Sequence, residues 1–293
     1  MKLCWIGIIG RPNVGKSSLL NEIIDYDLSI VSPKPQTTRD QILGIYNDEE
    51  YQWVFLDTPG IHKPLSKLGD ELNKRALETI EDVDLILFLQ PVNEVISKGD
   101  LLILDKIKNF ENKIALITKI DLIKRDEDFS LNEKIKILDN YRFKAILPIS
   151  IKKRSSINNL IDEIKKYSYD GQNLYEEDAI TDRSELFLAK EIIRYSAIEN
   201  LSDELPHSIA IEITNYDINE NENLRTIEAT IFCKKESQKG IIIGKNGSMI
   251  KKIGTMARKI ISQKFNTNVN LKLIVKINKN WINNEKMIKK FHY

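Results

Sequence analysis

A glycine-rich segment near the start of the sequence could bind phosphate groups. Residues 10–17 read GRPNVGKS, which fits the pattern GxxxxGKS between a predicted strand and a predicted helix. The glycines let backbone N–H groups turn towards phosphates, Lys16 could reach the β- and γ-phosphates, and Ser17 could ligate Mg²⁺. The alternative is a glycine-rich turn with an unrelated lysine, and the flanking strand and helix patterns argue against it. We therefore predict nucleotide contacts from Gly10, Asn13, Val14, Gly15, Lys16, Ser17 and Ser18.

Two further segments offer groups that could hold Mg²⁺ and respond to a terminal phosphate. Asp57 begins the sequence DTPG after an apolar run. We expect its carboxylate in the magnesium shell and the Gly60 N–H at the γ-phosphate. The sequence QTTRD at 36–40 offers two threonines, of which Thr38 is favoured, that could close on Mg²⁺ only while the γ-phosphate is present. The predicted catalytic residues are Lys16, Thr38 and Gly60, and the predicted metal ligands are Ser17, Thr38 and Asp57.

Polar residues after two later apolar runs could select the nucleotide base. The sequence TKID at 118–121 follows one run, and a carboxylate at Asp121 could accept both the ring N–H and the exocyclic amine of guanine. Adenine does not offer that pair of donors. The stem of the lysine could lie along the base, and a loop at 150–151 could close over it. The predicted base contacts are Thr118, Lys119, Asp121, Ser150 and Ile151.

Alternating strands and helices must position these motifs over residues 1–167. Apolar runs recur there with helix-like stretches between most of them, which is typical of a parallel sheet with helices on both faces. A polar, turn-rich stretch follows, and we assign residues 168–177 to a linker. The apolar runs are Leu3–Ile9, Trp53–Leu56, Leu85–Leu89, Ile114–Ile117 and Ala145–Ile149.

The order of elements changes over residues 178–293, which we assign to a second, α+β domain. A helix is predicted from Ser184 to about Leu201, with apolar residues on one face. The elements predicted after it are alternating stretches at His207–Tyr216 and Leu224–Cys233, a helix from about Ser248 to Lys264, and a strand at Val269–Ile277.

Positive charge is concentrated at the end of the second domain. Residues 231–293 contain 15 Lys or Arg and two acidic residues, a charge of +13, against −12 for residues 1–230, so the chain totals +1. A compact basic region on an otherwise acidic chain is typical of a module that binds a polyanion. A solvated lysine-rich surface is the alternative, and charge alone does not separate the two.

A GxxG loop in the basic region favours RNA as the polyanion. Gly244 and Gly247 frame this loop, and the predicted helix after it carries apolar residues on one face and cationic residues on the other. Glycines in such a loop let a nucleic-acid backbone approach closely. An amphipathic helix with a solvated face and a basic surface for anionic lipid are the alternatives, although no exposed apolar anchor for lipid is evident. The predicted RNA contacts are Gly244, Lys245, Gly247, Lys251, Lys252 and Arg258.

The composition excludes several other classes of protein. The chain has 293 residues, 42% hydrophobic and 30% charged, which suits about two globular domains and argues against a disordered chain. Its two cysteines, Cys4 and Cys233, have neither disulfide-framework nor zinc-site spacing. The sequence has no run of 18 apolar residues that would span a membrane. We therefore predict a cytoplasmic protein with reduced thiols.

The order of the motifs resembles the guanine-nucleotide-binding GTPases over about residues 1–167, and nearly the whole chain resembles the Era family of ribosome-assembly GTPases. The resemblance implies an α/β P-loop GTPase domain, with a mostly parallel sheet and helices on both faces, followed by a smaller α+β type II KH domain. It further implies a GTP-hydrolysing switch that uses GTP/GDP and Mg²⁺, binds 16S ribosomal RNA of the small subunit near its 3′ end, and acts in small ribosomal subunit assembly. The segments that carry it are GRPNVGKSSLLN, QTTRD, DTPGIHKP, ELPHSIAIEI and QKGIIIGKNGSMIKKIGTMAR.

Three departures from the GTPase pattern bear on affinity and rate. Thr118 and Ile151 stand where the family usually has Asn and Ala, so nucleotide affinity is the property in doubt. Ile61 stands where Ras-like enzymes have a glutamine that orients the attacking water, which predicts slow intrinsic turnover. By resemblance to bacterial GTPases with a hydrophobic residue here, Asn13 is expected to bind K⁺ near the phosphates.

Several alternatives stay open at this stage. His62 is the adjacent candidate for a general base, and a mobile switch histidine is the commoner role. Arg11 and Arg39 are candidate charge-stabilising fingers that nothing in the sequence aims at the γ-phosphate. Two other functions are a GTP-sensing RNA-binding module with negligible turnover and a membrane-peripheral regulatory GTPase at the inner membrane surface. The chain is expected to be a monomer.

Overall fold

The chain forms two compact units in a computed structural model that describes residues 1–29, 31–32, 39, 41–61, 66–123, 128–202 and 204–291. The first unit contains residues 1–65 and 69–182, and the second contains residues 66–68 and 183–293. Each unit is built on its own sheet.

The sheet of the first unit is mostly parallel, as predicted. Its strands lie in the order β2-β3-β1-β4-β5-β6, and β1 and β3 to β6 are parallel to one another. The edge strand β2 runs antiparallel to β3, and a short β7 pairs antiparallel with the start of β1. The bounds are β1 Lys2–Ile9, β2 Ile42–Asn47, β3 Tyr51–Asp57, β4 Leu85–Pro91, β5 Lys113–Thr118, β6 Ala145–Pro148 and β7 Tyr169–Asp170.

Helices pack against this sheet through apolar stripes. Because successive side chains of a strand point to opposite faces, each inner strand can bury residues on both sides. One buried cluster combines Val54 and Phe88 of the strands with Ala76, Leu104 and Leu138 of helices α2, α3 and α4. Helix α1 lies against β2 and β3. The helices are α1 Lys16–Ile24, α2 Lys67–Glu81, α3 Lys98–Ile107, α4 Asp128–Asp139 and α5 Arg154–Ile164.

The segment that the sequence assigns to a linker packs on the first unit. Residues 169–170 form β7, and the Gln52 side chain accepts the N–H groups of Leu174 and Tyr175 at 2.7 and 3.0 Å. The Ile45 N–H donates to the Ile180 carbonyl at 2.8 Å. The two units consequently divide after residue 182, whereas the predicted linker ends at residue 177. A polar, turn-rich sequence suits a short edge strand as well as it suits a free linker.

The second unit contains the predicted helix, two strands, helix and strand in that order, and among the described residues it adds three short α-helices that the sequence analysis did not predict. Its sheet has the order β10-β9-β8, with β9 parallel to β10 and antiparallel to β8, and α6 packs against α9. The Ser184 hydroxyl caps α6 by accepting the Phe187 N–H. The elements are α6 Glu185–Asn200, α7 Leu205–Ser208, β8 Ala210–Asn219, β9 Leu224–Cys233, α8 Glu236–Ile243, α9 Ser248–Phe265, β10 Asn268–Ile277 and α10 Glu285–Lys290.

Candidate functional site

Lys16, the first residue of α1, lies over the loop that joins β1 to that helix. Its side chain is buried, and Nζ donates to the carbonyl oxygens of Gly10 and Arg11 at 3.2 and 3.0 Å. Burial lowers the pKa of Lys16 to about 8, and the negative charge of Asp57 acts in the opposite direction. The loop thus holds a cation at the start of a helix, where phosphate oxygens bind most favourably.

Asp57, at the end of β3, meets Ser17 of α1. The Ser17 hydroxyl donates to Oδ2 of Asp57 at 2.6 Å. The carboxylate is fully buried, and its Oδ1 has no hydrogen-bond partner among the residues that the structure describes. Burial raises the pKa of Asp57, while Lys16, Ser17 and Ser29 lower it. A buried oxygen without a partner is costly unless a ligand or water satisfies it.

These two oxygen groups fit the requirements of Mg²⁺. Mg²⁺ prefers hard oxygen ligands, keeps several waters, and is commonly held by one or two protein groups together with substrate phosphates. Ser17 and Asp57 supply such groups beside Lys16. The described part of the chain contains no cluster of three or more His, Cys, Asp or Glu side chains that could hold a metal by themselves.

The DTPG segment touches the phosphate loop directly. A Cβ on Gly60 would lie 2.6 Å from the backbone nitrogen of Pro12, so only glycine allows this approach. The Ile61 N–H donates to the Gly10 carbonyl at 3.3 Å, and the Ile61 side chain is buried and apolar. Ile61 therefore has no group that could orient a water molecule. Thr38 lies outside the described residues, and so does His62, which follows Ile61 in the sequence.

Arg11, one of the two candidate arginine fingers, makes ion pairs with Asp100 and Glu94. Its Nε donates to Asp100 at 2.7 Å and its Nη2 to Glu94 at 2.8 Å. Asp100 is fully buried at the start of α3, where it also accepts the N–H and the hydroxyl of Ser97 at 2.8 Å. Arg39, the other candidate, is itself buried. The sequence analysis missed Asp100, although the spacing of Ser97 and Asp100 is that of a helix capping box.

The residues predicted to contact the base approach the other side of the phosphate loop. The Thr118 hydroxyl donates to the Val14 carbonyl at 2.9 Å, and Lys119 Nζ donates to the Asn13 carbonyl at 2.9 Å. The threonine that stands in place of the usual asparagine thus keeps a hydrogen bond to this loop. Both contacts join the end of β5 to the segment before α1.

Asp121 faces a cleft between these elements. Its Oδ1 accepts the Ser150 hydroxyl at 2.8 Å, and its Oδ2 lies 2.7 Å from Lys152 Nζ. Both contacts lower the pKa of Asp121, the lysine more than the serine. The sequence analysis missed Lys152, whose only signal is a charge directly after Ser150 and Ile151. The cleft has a volume of about 230 Å³ and is lined by Val14, Gly15, Ser18, Leu19, Thr118, Lys119, Asp121, Leu122, Ile149, Ile151 and Lys152.

The candidate RNA-binding face lies around the loop between α8 and α9. Gly244 has φ +74°, and a Cβ there would lie 2.7 Å from the Met249 backbone nitrogen, so the loop requires glycine. The helix after it is amphipathic as predicted, with Ile253, Ala257 and Ile261 buried. The exposed cationic residues of the loop and helix are Lys245, Lys251, Lys252, Arg258 and Lys259.

Both regions match known protein families. A model described as "50S ribosome-binding GTPase" matches residues 5–120, and one described as "KH domain" matches residues 204–282. GTPase Era of Mycoplasmopsis agalactiae is 55% identical over 293 residues, covering 100% of each chain. GTPase Era of Ruminiclostridium cellulolyticum is 43% identical, covering 99% of this chain and 96% of the relative.

Two crystal structures are similar over almost the full length. One is Era in complex with MgGDPNP and nucleotides 1506–1542 of 16S ribosomal RNA, with TM-score 0.93, 34% identity and coverage of 99% and 98%. The other is a substituted Aquifex aeolicus Era bound to GDP and AlF4⁻, with TM-score 0.91, 35% identity and coverage of 99% of each chain.

Among the described residues, no helix combines the length and the apolar character that crossing a bilayer requires.

Proposed function

The chain belongs to the Era family of GTPases, and from this premise we propose that it is a GTP-hydrolysing switch that binds 16S ribosomal RNA near its 3′ end during small-subunit assembly. The observation that carries the proposal is the presence in one chain of a guanine-nucleotide site and a GxxG loop beside a cationic helix face. A similar Era protein holds a GTP analogue with Mg²⁺ and that RNA segment in one complex.

The phosphate end would bind GTP through charges that are already in place. Lys16 would contact the β- and γ-phosphates, and the Gly60 N–H would sense the γ-phosphate. Ser17 and Asp57, with Thr38, would hold Mg²⁺, which when bound neutralises charge on the phosphate oxygens. At the other end, Asp121 would accept the two N–H donors of guanine, with the Lys119 stem against the base.

The hydrolysis step is proposed to be slow and to depend on K⁺. Buried Ile61 cannot orient the attacking water, and Arg11 is held by Asp100 and Glu94. A monovalent cation at Asn13 would supply the missing positive charge near the transferred phosphate. K⁺ is therefore proposed as a cofactor in addition to Mg²⁺.

The test is GTP hydrolysis in potassium or sodium buffer, with and without an RNA that copies the 3′ end of small-subunit ribosomal RNA. We expect activity that needs K⁺ and rises with this RNA. Replacing Asn13 by alanine should abolish the difference between K⁺ and Na⁺. Activity indifferent to both K⁺ and RNA would contradict the proposal, even if GTP still bound.

Two double charge-reversal variants distinguish RNA binding at the GxxG face from general electrostatic attraction of RNA to a basic protein. Lys251→Glu/Lys252→Glu changes the face beside the GxxG loop, and Lys276→Glu/Lys279→Glu makes the same charge change at exposed positions on and after β10. We expect the first pair to weaken RNA binding much more than the second. Equal losses would mean that net charge alone attracts the RNA.

An anionic membrane surface is the rival ligand for the same basic face. Co-sedimentation with anionic liposomes, competed by the short RNA, distinguishes the two. If liposomes do not displace RNA from the protein, the result supports an RNA-binding switch that acts in the cytoplasm. Preferential binding to liposomes would favour a membrane-peripheral GTPase.

We also predict that the protein is a monomer. Sedimentation velocity would test this prediction.

A further inference from the structure

Ser29 follows α1 and lies beside Asp57 in the phosphate site. Its side chain is 3% exposed, and its hydroxyl has no hydrogen-bond partner among the residues the structure describes. Oδ1 of Asp57 is also buried and also lacks such a partner. Ser29 is bonded through Asn21 to the helix that carries Ser17, whose hydroxyl donates to Asp57 at 2.6 Å. The Ser29 hydroxyl also lowers the pKa of the Asp57 carboxyl. The two groups are therefore buried in the same region, and neither the Ser29 hydroxyl nor Oδ1 of Asp57 has a well-formed hydrogen bond among the described residues.

The backbone of Ser29 is attached to α1 at two points. The Asn21 side-chain amide donates to the Ser29 carbonyl at 2.7 Å, and its oxygen accepts the Ser29 N–H at 2.8 Å. Asn21 lies one turn after Ser17 and Ser18 on the same helix. Since Ser17 and Asn21 share one rigid element, the two bonds set the position of Ser29 relative to Ser17.

We propose that Ser29 is a further residue of the magnesium site, beside Ser17 and Asp57, and that Asn21 is its positioning residue. A hydroxyl oxygen can ligate Mg²⁺ directly or accept a hydrogen bond from one of the waters that Mg²⁺ keeps. The neighbouring Asp57 supplies the charge, and burial of both groups removes competing solvent. Groups that hydrogen-bond and orient metal ligands commonly affect metal affinity. This inference rests on the proposed Mg²⁺-dependent nucleotide site.

The experiment measures release of a fluorescent GDP analogue as Mg²⁺ is titrated, with EDTA as the zero point. In Ser29→Ala, the Mg²⁺ concentration that half-maximally slows release should rise about five-fold, the change that one neutral hydrogen bond corresponds to. Release in EDTA should stay as in the unsubstituted protein. Asn21→Ala should shift the titration in the same direction because it frees the Ser29 backbone.

Two control variants make the result specific. Ser29→Thr keeps the hydroxyl and should restore the Mg²⁺ titration. Ser155→Ala removes an exposed hydroxyl on α5 and should change nothing. An unshifted titration in Ser29→Ala would overturn the inference. So would an equal acceleration of release in EDTA and in Mg²⁺, because that result would assign Ser29 a structural role only.

The same titration gives a different result if the proposed function, rather than the role of Ser29, is wrong. If Mg²⁺ did not slow release from the unsubstituted protein, the Mg²⁺-dependent site itself would be wrong, and the inference with it. If Mg²⁺ slowed release in every variant at the same concentration, the nucleotide site would stand and the role of Ser29 would be wrong.

Discussion

The two ends of the nucleotide cleft differ in how much of their charge is buried. At the phosphate end, Lys16 and Asp57 are 6% and 0% exposed. At the base end, the side chains of Asp121 and its partner Lys152 are 18% and 70% exposed. Folding therefore buries the charges of Lys16 and Asp57 before a ligand arrives, and the folded protein bears the cost of that burial. The base end leaves its carboxylate accessible to a ligand.

This difference matches what each end has to recognise. Phosphate groups carry charge, and preorganised charges in a water-poor site bind charge most strongly. A base is recognised by the direction and type of its hydrogen bonds, which an exposed carboxylate can supply. We therefore expect substitutions at the phosphate end to change stability and those at the base end to change ligand choice.

The largest expected effect is on stability, through Arg11 at the phosphate end. Arg11→Ala leaves Asp100 buried without its cationic partner, which should lower the free energy of unfolding by about 3 to 5 kcal/mol. Hydrogen exchange at the amides of β1 and β5 measures this for the first unit alone. The control is Arg154→Ala, which removes a solvent-exposed pair with Glu22 and should cost less than about 1 kcal/mol. Equal losses in the two variants would contradict the contrast between the ends.

The second expected effect is a change of base preference without loss of stability. Asp121→Asn places N–H donors opposite those of guanine, so GDP affinity should fall by about 10- to 100-fold. Xanthosine diphosphate, which has a carbonyl in place of the exocyclic amine, should gain affinity. Competition binding of the two nucleotides measures both changes. A loss of GDP affinity without that gain would mean that Asp121 does not contact the base.

A smaller effect is expected at Thr118, which joins the two ends. Thr118→Val keeps the shape but leaves the Val14 carbonyl without its hydroxyl donor, at a cost of about 1 kcal/mol. Because this bond holds the loop before α1 in the position where it would meet the phosphates, its loss should lower GDP affinity by up to about five-fold. Thr118→Ser retains the hydroxyl and should bind GDP nearly as the unsubstituted protein does. Calorimetric titration distinguishes the two variants, and equal affinities would show that the hydroxyl is unimportant.

The smallest effect is a pH dependence that arises at Lys16. Burial lowers its pKa from 10.5 to about 8 in the folded, ligand-free protein. The phosphates bind the charged form, so GDP affinity should fall about four-fold between about pH 7 and 8.5, with uptake of a proton. Calorimetry in buffers of different ionisation enthalpy measures this uptake, which should nearly vanish at about pH 7. Affinity that is constant over this range would place the Lys16 pKa well above 8.

The stability of the ligand-free protein should change in the opposite direction. Between pH 8 and 10.5 the unfolded chain binds more protons at Lys16 than the folded protein does. Stability should therefore rise with pH through this window, since the cost of burying a charged lysine disappears as the lysine becomes neutral. Chemical denaturation of the nucleotide-free protein measures the change.

Much of the fold could be predicted because its signals are local. Strand β9 spans Leu224–Cys233, the bounds that the alternating pattern predicts, and α9 ends one residue beyond the predicted Lys264. The strand predicted at 207–216 instead begins at Ala210, because residues 205–208 form the short helix α7. The sequence analysis did not assign β2 or β7 to strands, although β2 carries the apolar residues Ile42, Leu43 and Ile45; the two strands pair with β3 and β1.

The sequence by itself determined the motifs and the elements that carry them, because chain spacing places Lys16 at a helix start and Asp57 at a strand end. Only the tertiary structure brings Arg11 to Asp100, Asp121 to Lys152 and Ser29 to Asn21. The partners in each of these pairs come from different elements or from opposite sides of a turn. Their burial and their distances arise when the sheet and helices pack, and this is why charge and metal contacts could be predicted only in outline.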